Sequence, residues 1–350
     1  MRRTLSKQEQ RQIREHALTT VQTGFPLLRR MPIPRSVRAQ RWFKESGIEY
    51  RLRDYNILAF KWDIFSGKMP PALAILLMEE VRGSFVNRPT LYGASSGNFI
   101  KDLAGLARAF NIEKVVAILD KKTPQGKIDH VEASGAIVEF APAGKTTTDY
   151  VYELRDRPNW FLIDQYTHPG SILGHKWTMH HIIREFQRLG EVPSIYGSVL
   201  GTTSNMMAAK KDLQPMWPGM KLLGAVSMSP EEKVPGSRSE VDLDDLERIG
   251  GFPYKTIIDP DFPLVNDIVR DEVFALNAEY VQDEFIPLGP TGALLQAAKY
   301  RRLETHWRDH GDFKALENPQ GNVVIGGYCV DTHLPYLGDP AYRKFFRWTD

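Results

Sequence analysis

The chain has 350 residues, 42% of them hydrophobic and 25% charged, with a net charge of +2 and one cysteine. These values suit a soluble globular protein of one or two domains. They give no support for a nucleic-acid or membrane partner, exclude an internal disulfide framework, and point to a reducing, cytoplasmic setting. Arg2-Arg3 precede SKQEQRQIREH, which is too polar for the apolar core of a twin-arginine signal. Residues 5–22 space Leu5, Ile13, Ala17 and Val21 as a helix that packs on the body or on a partner subunit. Residues 48–60 read as one or two strands with one wet face, since Arg51 and Arg53 alternate with apolar residues.

Asp63–Lys68 is a short stretch in which Lys68 opens an apolar helix over 72–81. ALAILLM at 72–78 is far too short to span a membrane. Thr90–Gly93 is β-prone, 94–98 (ASSGN) is a compact polar turn, and 99–110 place Leu103, Leu106, Ala107 and Phe110 at helical spacing. Backbone amides at such a helix start favour anions, and Ser95, Ser96 and Asn98 add side-chain donors. Asn98 follows Lys68 by 30 residues, the length of one helix–strand unit. That interval can bring the lysine and the turn to one rim of one sheet.

Strands are expected at 114–119, 136–140 and 160–163, with helices at 101–110, 126–133 and 147–155 between them. The alternation implies an α/β chain with parallel sheets. Gly170–Leu189 reads as a helix with His175 on its inner face. PSIYGSVL is a strand, and Gly201-Thr202-Thr203-Ser204-Asn205 turns into a further helix, where amides and hydroxyls could hold a phosphate. Residues 220–227 form a strand, 229–245 a surface loop rich in Pro, Gly, Ser and charge, 261–283 one or two helices, and 322–327 the final strand.

Ser66-Gly67-Lys68, followed at this distance by Ser95-Ser96-Gly97-Asn98, resembles the fold-type II pyridoxal-phosphate enzymes, which include cysteine synthase and cystathionine β-synthase. Further segments resemble the family in order. The stretch 23–28 (TGFPLL) is similar to its opening G-N-T-P-L, and 127–136 to a segment before a strand. Gly201–Thr203 stand at its phosphate loop, usually G-T-G-G-T, Gly250-Gly251 at a glycine pair near the cofactor ring, and Pro290-Thr291-Gly292-Ala293 at its S-S-G-A. The resemblance covers about 23–330 and implies two open parallel-sheet αβ domains. The large cofactor-binding one would comprise 1–71 and 168–350, and the small mobile one 72–167.

The resemblance implies pyridoxal 5'-phosphate on Lys68, which also acts as base, with the cofactor contacted by Asn98, Gly201, Thr202, Thr203 and Thr291. It implies that Ser95, Ser96, Gly97 and Gln165 hold the carboxylate of a small amino-acid substrate, and that the protein is a homodimer. It carries no metal. Three departures accompany it: Met69-Pro70-Pro71 after the lysine, a phosphate loop poor in glycine, and Pro290 where a serine serves the ring nitrogen. The implied reaction is β-replacement, as in cysteine synthase, or β-elimination on an activated serine-type amino acid through an aminoacrylate. A serine or threonine dehydratase or ammonia lyase on the same cofactor, and an inactive homologue that serves as a binding partner, stay open.

Overall fold

A computed structural model describes residues 5–23, 28–58, 67–95 and 97–347. In chain order, α1 (Lys7–Thr23), β1 (Leu28–Arg30), α2 (Arg35–Ala39), α3 (Arg41–Ser46) and β2 (Leu52–Leu58) come first. Then follow α4 (Met69–Val81), β3 (Thr90–Ala94), α5 (Asn98–Ala107), β4 (Val115–Leu119), α6 (Gln125–Ala133), β5 (Ile137–Phe140), α7 (Thr147–Glu153) and β6 (Trp160–Leu162). The second half holds α8 (Pro169–Leu189), β7 (Ile195–Val199), α9 (Ser204–Asp212), β8 (Lys221–Ala225), α10 (Glu240–Arg248), α11 (Arg270–Gln282), α12 (Pro290–His310), β9 (Val323–Cys329) and α13 (Pro340–Arg343). No helix among the described residues is long and apolar enough to cross a membrane.

The chain divides into two compact units. Unit 1 comprises Met1–Phe25, Phe60–Thr178 and Leu334–Arg343, and unit 2 comprises Pro26–Ala59, Met179–His333 and Lys344–Asp350. The segment 72–167 lies wholly within unit 1, which takes in more of the chain for identifiable reasons. On α1, Arg14 Nε donates to Ala109 O at 2.5 Å and its guanidinium pairs with Glu80 at 2.7 Å. The C-terminal segment reaches α6, where Lys127 Nζ lies 4.5 Å from the centre of the Tyr336 ring.

Unit 1 holds a four-stranded sheet in the order β5-β4-β3-β6, every pair parallel. The chain winds from β3 through β4 to β5 on one side and returns to place β6 on the other, so the winding direction reverses between β3 and β6. Ligands of open α/β sheets bind outside the carboxyl ends of strands at such a reversal. The strand β4, all five residues of it, is buried, as expected where helices cover both faces of a parallel sheet. The helix α4 is nearly all apolar, with Pro70 and Pro71 in its first turn, where the missing N–H would have no helical partner in any case.

Unit 2 holds a five-stranded sheet in the order β1-β2-β9-β7-β8, parallel except for β1. The winding reverses between β7 and β9, which makes a second crevice at their carboxyl ends. The buried strand β9 lies in the middle of this sheet, flanked by β2 from the N-terminal part of the sequence and β7 from its middle. Beneath it, Lys299 on α12 is fully buried and pairs with Asp54 Oδ1 at 2.6 Å and Asn56 Oδ1 at 2.8 Å.

The segment expected as a surface loop at 229–245 is exposed at Pro230, Glu231, Lys233, Val241, Asp244 and Asp245, but four of its residues anchor it to the body, and from Glu240 it is helical. Val234, Ser237, Ser239 and Leu243 are buried, and Val234 N–H donates to Ser227 Oγ at 2.8 Å. Ser239 then caps α10 in a reciprocal pairing with Asp242. The composition reports the exposed, irregular part of the segment, and the helix from Glu240 is what it did not reveal. The N-terminal helix packs on the body of unit 1 through Arg14. Residues 29–47, for which the sequence offered no reading, form the two short helices α2 and α3.

Candidate active site

In unit 1 the polar turn joins β3 to α5 at the carboxyl edge of the sheet, beside the reversal. Gly97 adopts φ 123°, ψ −53°, open to glycine and strained for other residues, and this turns the chain sharply into α5. Ser95 Oγ accepts from Gly97 N–H at 3.1 Å, which leaves its own proton to donate. Gln165 follows β6 on the other side of the reversal. It is buried, and its Nε2 donates to Ala94 O at 2.8 Å. Ser95, Gly97, Asn98 and Gln165 therefore share one corner. Ser96 lies outside the described residues, as do Ser66 and the 24–27 segment.

Lys68 precedes α4 in the same unit. The residue is partly exposed, yet packing around the amine makes burial the dominant influence and lowers it to about 8, while the Asp102 charge acts in the opposite sense. Asp102 is fully buried on α5, one turn beyond Asn98, with Lys101 Nζ 3.7 Å away. His175 on α8 is also fully buried. Burial first, and the charge of Lys68 second, hold its imidazole well below the ordinary value, so it is neutral. The proline pair after Lys68 is accommodated by glycine on α8: a Cβ at Gly174 would lie 2.3 Å from Pro70 O, and one at Gly170 3.0 Å from Ile75 Cα. Asp102 escaped the sequence reading because a charged residue on a helix is ordinarily solvated.

His168 Nε2 lies 2.8 Å from Glu79 Oε1. Among the described residues no group of three or more His, Cys, Asp or Glu side chains is placed to hold a metal ion.

In unit 2 the Gly201–Thr203 turn joins β7 to α9 at the carboxyl edge. Thr203 sits at φ 60°, ψ −14°, a left-handed conformation that costs a β-branched residue about 1–2 kcal/mol. Its hydroxyl donates to Thr202 O at 2.6 Å and approaches Phe252 O at 3.4 Å, which anchors it. Thr202 and Ser204 hydroxyls pair at 2.7 Å. The Thr202–Ser204 pair keeps one hydroxyl proton to donate, which together with the helix-start amides makes a donor set that an oxyanion prefers. Gly250-Gly251 end α10 and lead to Phe252, which brings that glycine pair against the same turn.

Gly236, from the 229–245 segment, was not singled out in the sequence, and it ties this corner together. A Cβ at Gly201 would lie 3.1 Å from Gly236 O, and a Cβ at Gly236 would lie 2.6 Å from Thr291 Cγ2. Thr291, in the first turn of α12 behind Pro290, is therefore beside the Gly201 turn. Its hydroxyl donates to Asp331 Oδ1 at 2.5 Å, and Asp331 stands two residues beyond β9 at the second reversal.

The fold is similar to that of several solved enzymes. For O-ureido-L-serine synthase the TM-score is 0.72 at 17% identity, over 95% of this chain and 96% of that one. For O-acetylserine sulfhydrylase isoform 3 from Entamoeba histolytica it is 0.68 at 16%, over 95% and 91%. For the O-acetylserine dependent cystathionine β-synthase from Helicobacter pylori it is 0.67 at 16%, over 94% and 98%. At such identities the likeness establishes the fold. No curated protein matches the sequence significantly. A family model described as pyridoxal-phosphate dependent enzyme does match, over residues 63–309, which take in Lys68, both anion-favouring turns and Thr291. With more than half its length under that model and the fold of its two sheets in agreement, the chain belongs to the family of pyridoxal-phosphate dependent enzymes.

Proposed function

We propose that this enzyme acts on a serine derivative with a good leaving group on its β-carbon, and replaces or eliminates that group. The observation that carries the reading is Lys68, an amine lowered to about 8 in the same unit as the Ser95–Asn98 turn. O-acetylserine, the serine derivative named for two of the similar structures, is of this class.

The residues fit the cofactor. A depressed amine suits capture of an aldehyde, and the hydroxyl-rich start of α9, with glycine at 201 where Gly236 comes close, suits a phosphate. When bound, pyridoxal phosphate supplies the aldehyde that captures an amine and the ring that takes up electrons released at the substrate's α-carbon. Lys68 holds the cofactor at rest. Its amine, when neutral and free, would take the α-proton of the substrate, and in its protonated form it would return a proton. Near pH 8 about half of the amine is neutral, so both forms are at hand. Ser95, the Gly97 and Asn98 amides, and the second N–H of Gln165 hold and orient the substrate carboxylate. Gly201, Thr202 and Thr203 would hold the phosphate, and Thr291 would serve the ring nitrogen. We place the enzyme in the cytoplasm as a homodimer, for which light scattering should return twice the 39.9 kDa of one chain.

Borohydride reduction of the cofactor-loaded protein and peptide mapping should put the pyridoxyl label on Lys68. A label on Lys176 or Lys127 instead would refute the assignment. A screen with O-acetylserine, O-phosphoserine, serine and threonine, read as 2-oxo acid released or as product with an added thiol, should favour the first two. Preference for unactivated threonine would turn the reading toward a dehydratase.

A further inference from the structure

Pro290 stands where the family pattern has the hydroxyl that meets the ring nitrogen, and it has no proton to offer. The hydroxyl next to it, on Thr291, is buried and donates to Asp331 Oδ1 at 2.5 Å. A hydroxyl has one proton. With that proton committed to the carboxylate, the Thr291 oxygen offers only lone pairs to a third group. An unprotonated pyridine nitrogen also offers only a lone pair, so the two repel. A protonated one is a donor and fits.

Both residues are fixed in this arrangement. The Thr291 methyl is pressed against Gly236, whose φ of 92° excludes most side chains. Asp331 O accepts from Gly289 N–H at 3.0 Å, and a Cβ on Gly289 would lie 2.3 Å from Asp331 Oδ1. Gly289 is the N-cap of the 21-residue helix α12, whose dipole favours negative charge at that end. The carboxylate is buried at the carboxyl edge of β9, beside the reversal between β7 and β9.

We propose that Asp331, acting through Thr291, keeps the cofactor's ring nitrogen protonated, an acid–hydroxyl pair in place of a lone hydroxyl. Asp331 is a positioning residue: it orients the Thr291 hydroxyl and supplies the negative charge that holds the proton on nitrogen. That proton comes from water when the cofactor binds and stays through turnover. A protonated ring withdraws electrons more strongly, so this chain also admits reactions that need a long-lived carbanion, despite the loss of the serine at 290. The inference rests on the function proposed above.

The test uses the full chain loaded with pyridoxal phosphate labelled with 15N in the ring. The nitrogen resonance separates protonated from unprotonated ring, and borohydride labelling of Lys68 is checked on the same sample. The parent should give the protonated shift. Asp331→Asn keeps an acceptor for Thr291 but removes the charge, and should move the resonance to the unprotonated position. Thr291→Val should do the same, and Thr291→Ser should restore the parent shift. If Asp331→Asn does not fold, the two Thr291 variants decide the matter. An unprotonated nitrogen in the parent, or a parent-like shift in Thr291→Val, would overturn the pair with Lys68 still labelled. Absence of label on Lys68 would overturn the underlying function, and this inference with it.

Discussion

At Lys68 the physics of one side chain governs both stability and chemistry. Its ordinary value is 10.5 and burial lowers it to about 8. Between these values the unfolded chain binds a proton that the folded chain does not, so stability from this group rises as pH climbs from about 8 toward 10.5. Below pH 8 both states are protonated, and the folded state bears the full cost of a buried charge. Lys68→Met in the cofactor-free protein should therefore melt higher than the parent at pH 7, with the advantage shrinking as the pH rises above 8. Urea unfolding of both across that range measures it, and parallel curves would refute the burial of the amine. Ser95→Ala should weaken amino-acid binding by about 1.5–3 kcal/mol, the worth of a hydrogen bond to a charged group, in spectral titration of the loaded enzyme. An unchanged affinity would remove Ser95 from the pocket. The sequence marked Lys68 and Ser95 through their motif neighbours. It could not mark Asp102 or Asp331, because an acidic residue shows its burial only when its surroundings are known.

Among the elements, α8 makes the most legible contact with the Lys68 segment. Glycine in a helix interior normally costs roughly 0.5–1 kcal/mol relative to alanine, so Gly174→Ala would ordinarily stabilise. Here the new Cβ would meet Pro70 O at 2.3 Å and Pro70 C at 2.4 Å, both backbone atoms that cannot swing away. The substitution should cost about 1–3 kcal/mol, typical of an overpacked interior, and shift the Lys68 titration. Thermal unfolding with a pH series tests both, and a stabilised variant would contradict the helix contact. The helices and central strands were readable because their apolar periodicity is local. In the 229–245 segment the anchors were illegible for the opposite reason: they come from pairs such as Ser227–Ser237 and from packing on Thr291, partners that composition does not reveal.

On the scale of the whole molecule, unit 2 depends on residues far apart in the chain. Lys299 and Asp54 are 245 positions apart and both are buried. Removing one partner of such a pair leaves an uncompensated charge and commonly costs 3–5 kcal/mol. Asp54→Asn should lower the stability of unit 2 by about that amount in urea, and a change below about 1 kcal/mol would show that the lysine finds another partner. Nothing in either sequence neighbourhood announces this pair, since each residue alone looks like a solvated charge.

The sequence by itself determined most of the elements, their alternation, the parallel character of the sheets, and the turns at 95–98 and 201–203, because apolar period and helix-start chemistry act over a few residues. It also carried the family, since motif order survives where overall identity is low. Only the tertiary structure decided the strand orders, and with them the two winding reversals that put Gln165 beside Ser95 and Asp331 beside the Gly201 turn. It alone placed α1 on unit 1, turned Gly236 into a neighbour of Thr291, and directed the Thr291 proton to Asp331. Each of these depends on which distant segments come together. That is settled by packing of whole sheets and helices, where burial and close backbone approach outweigh any preference that a short stretch can express.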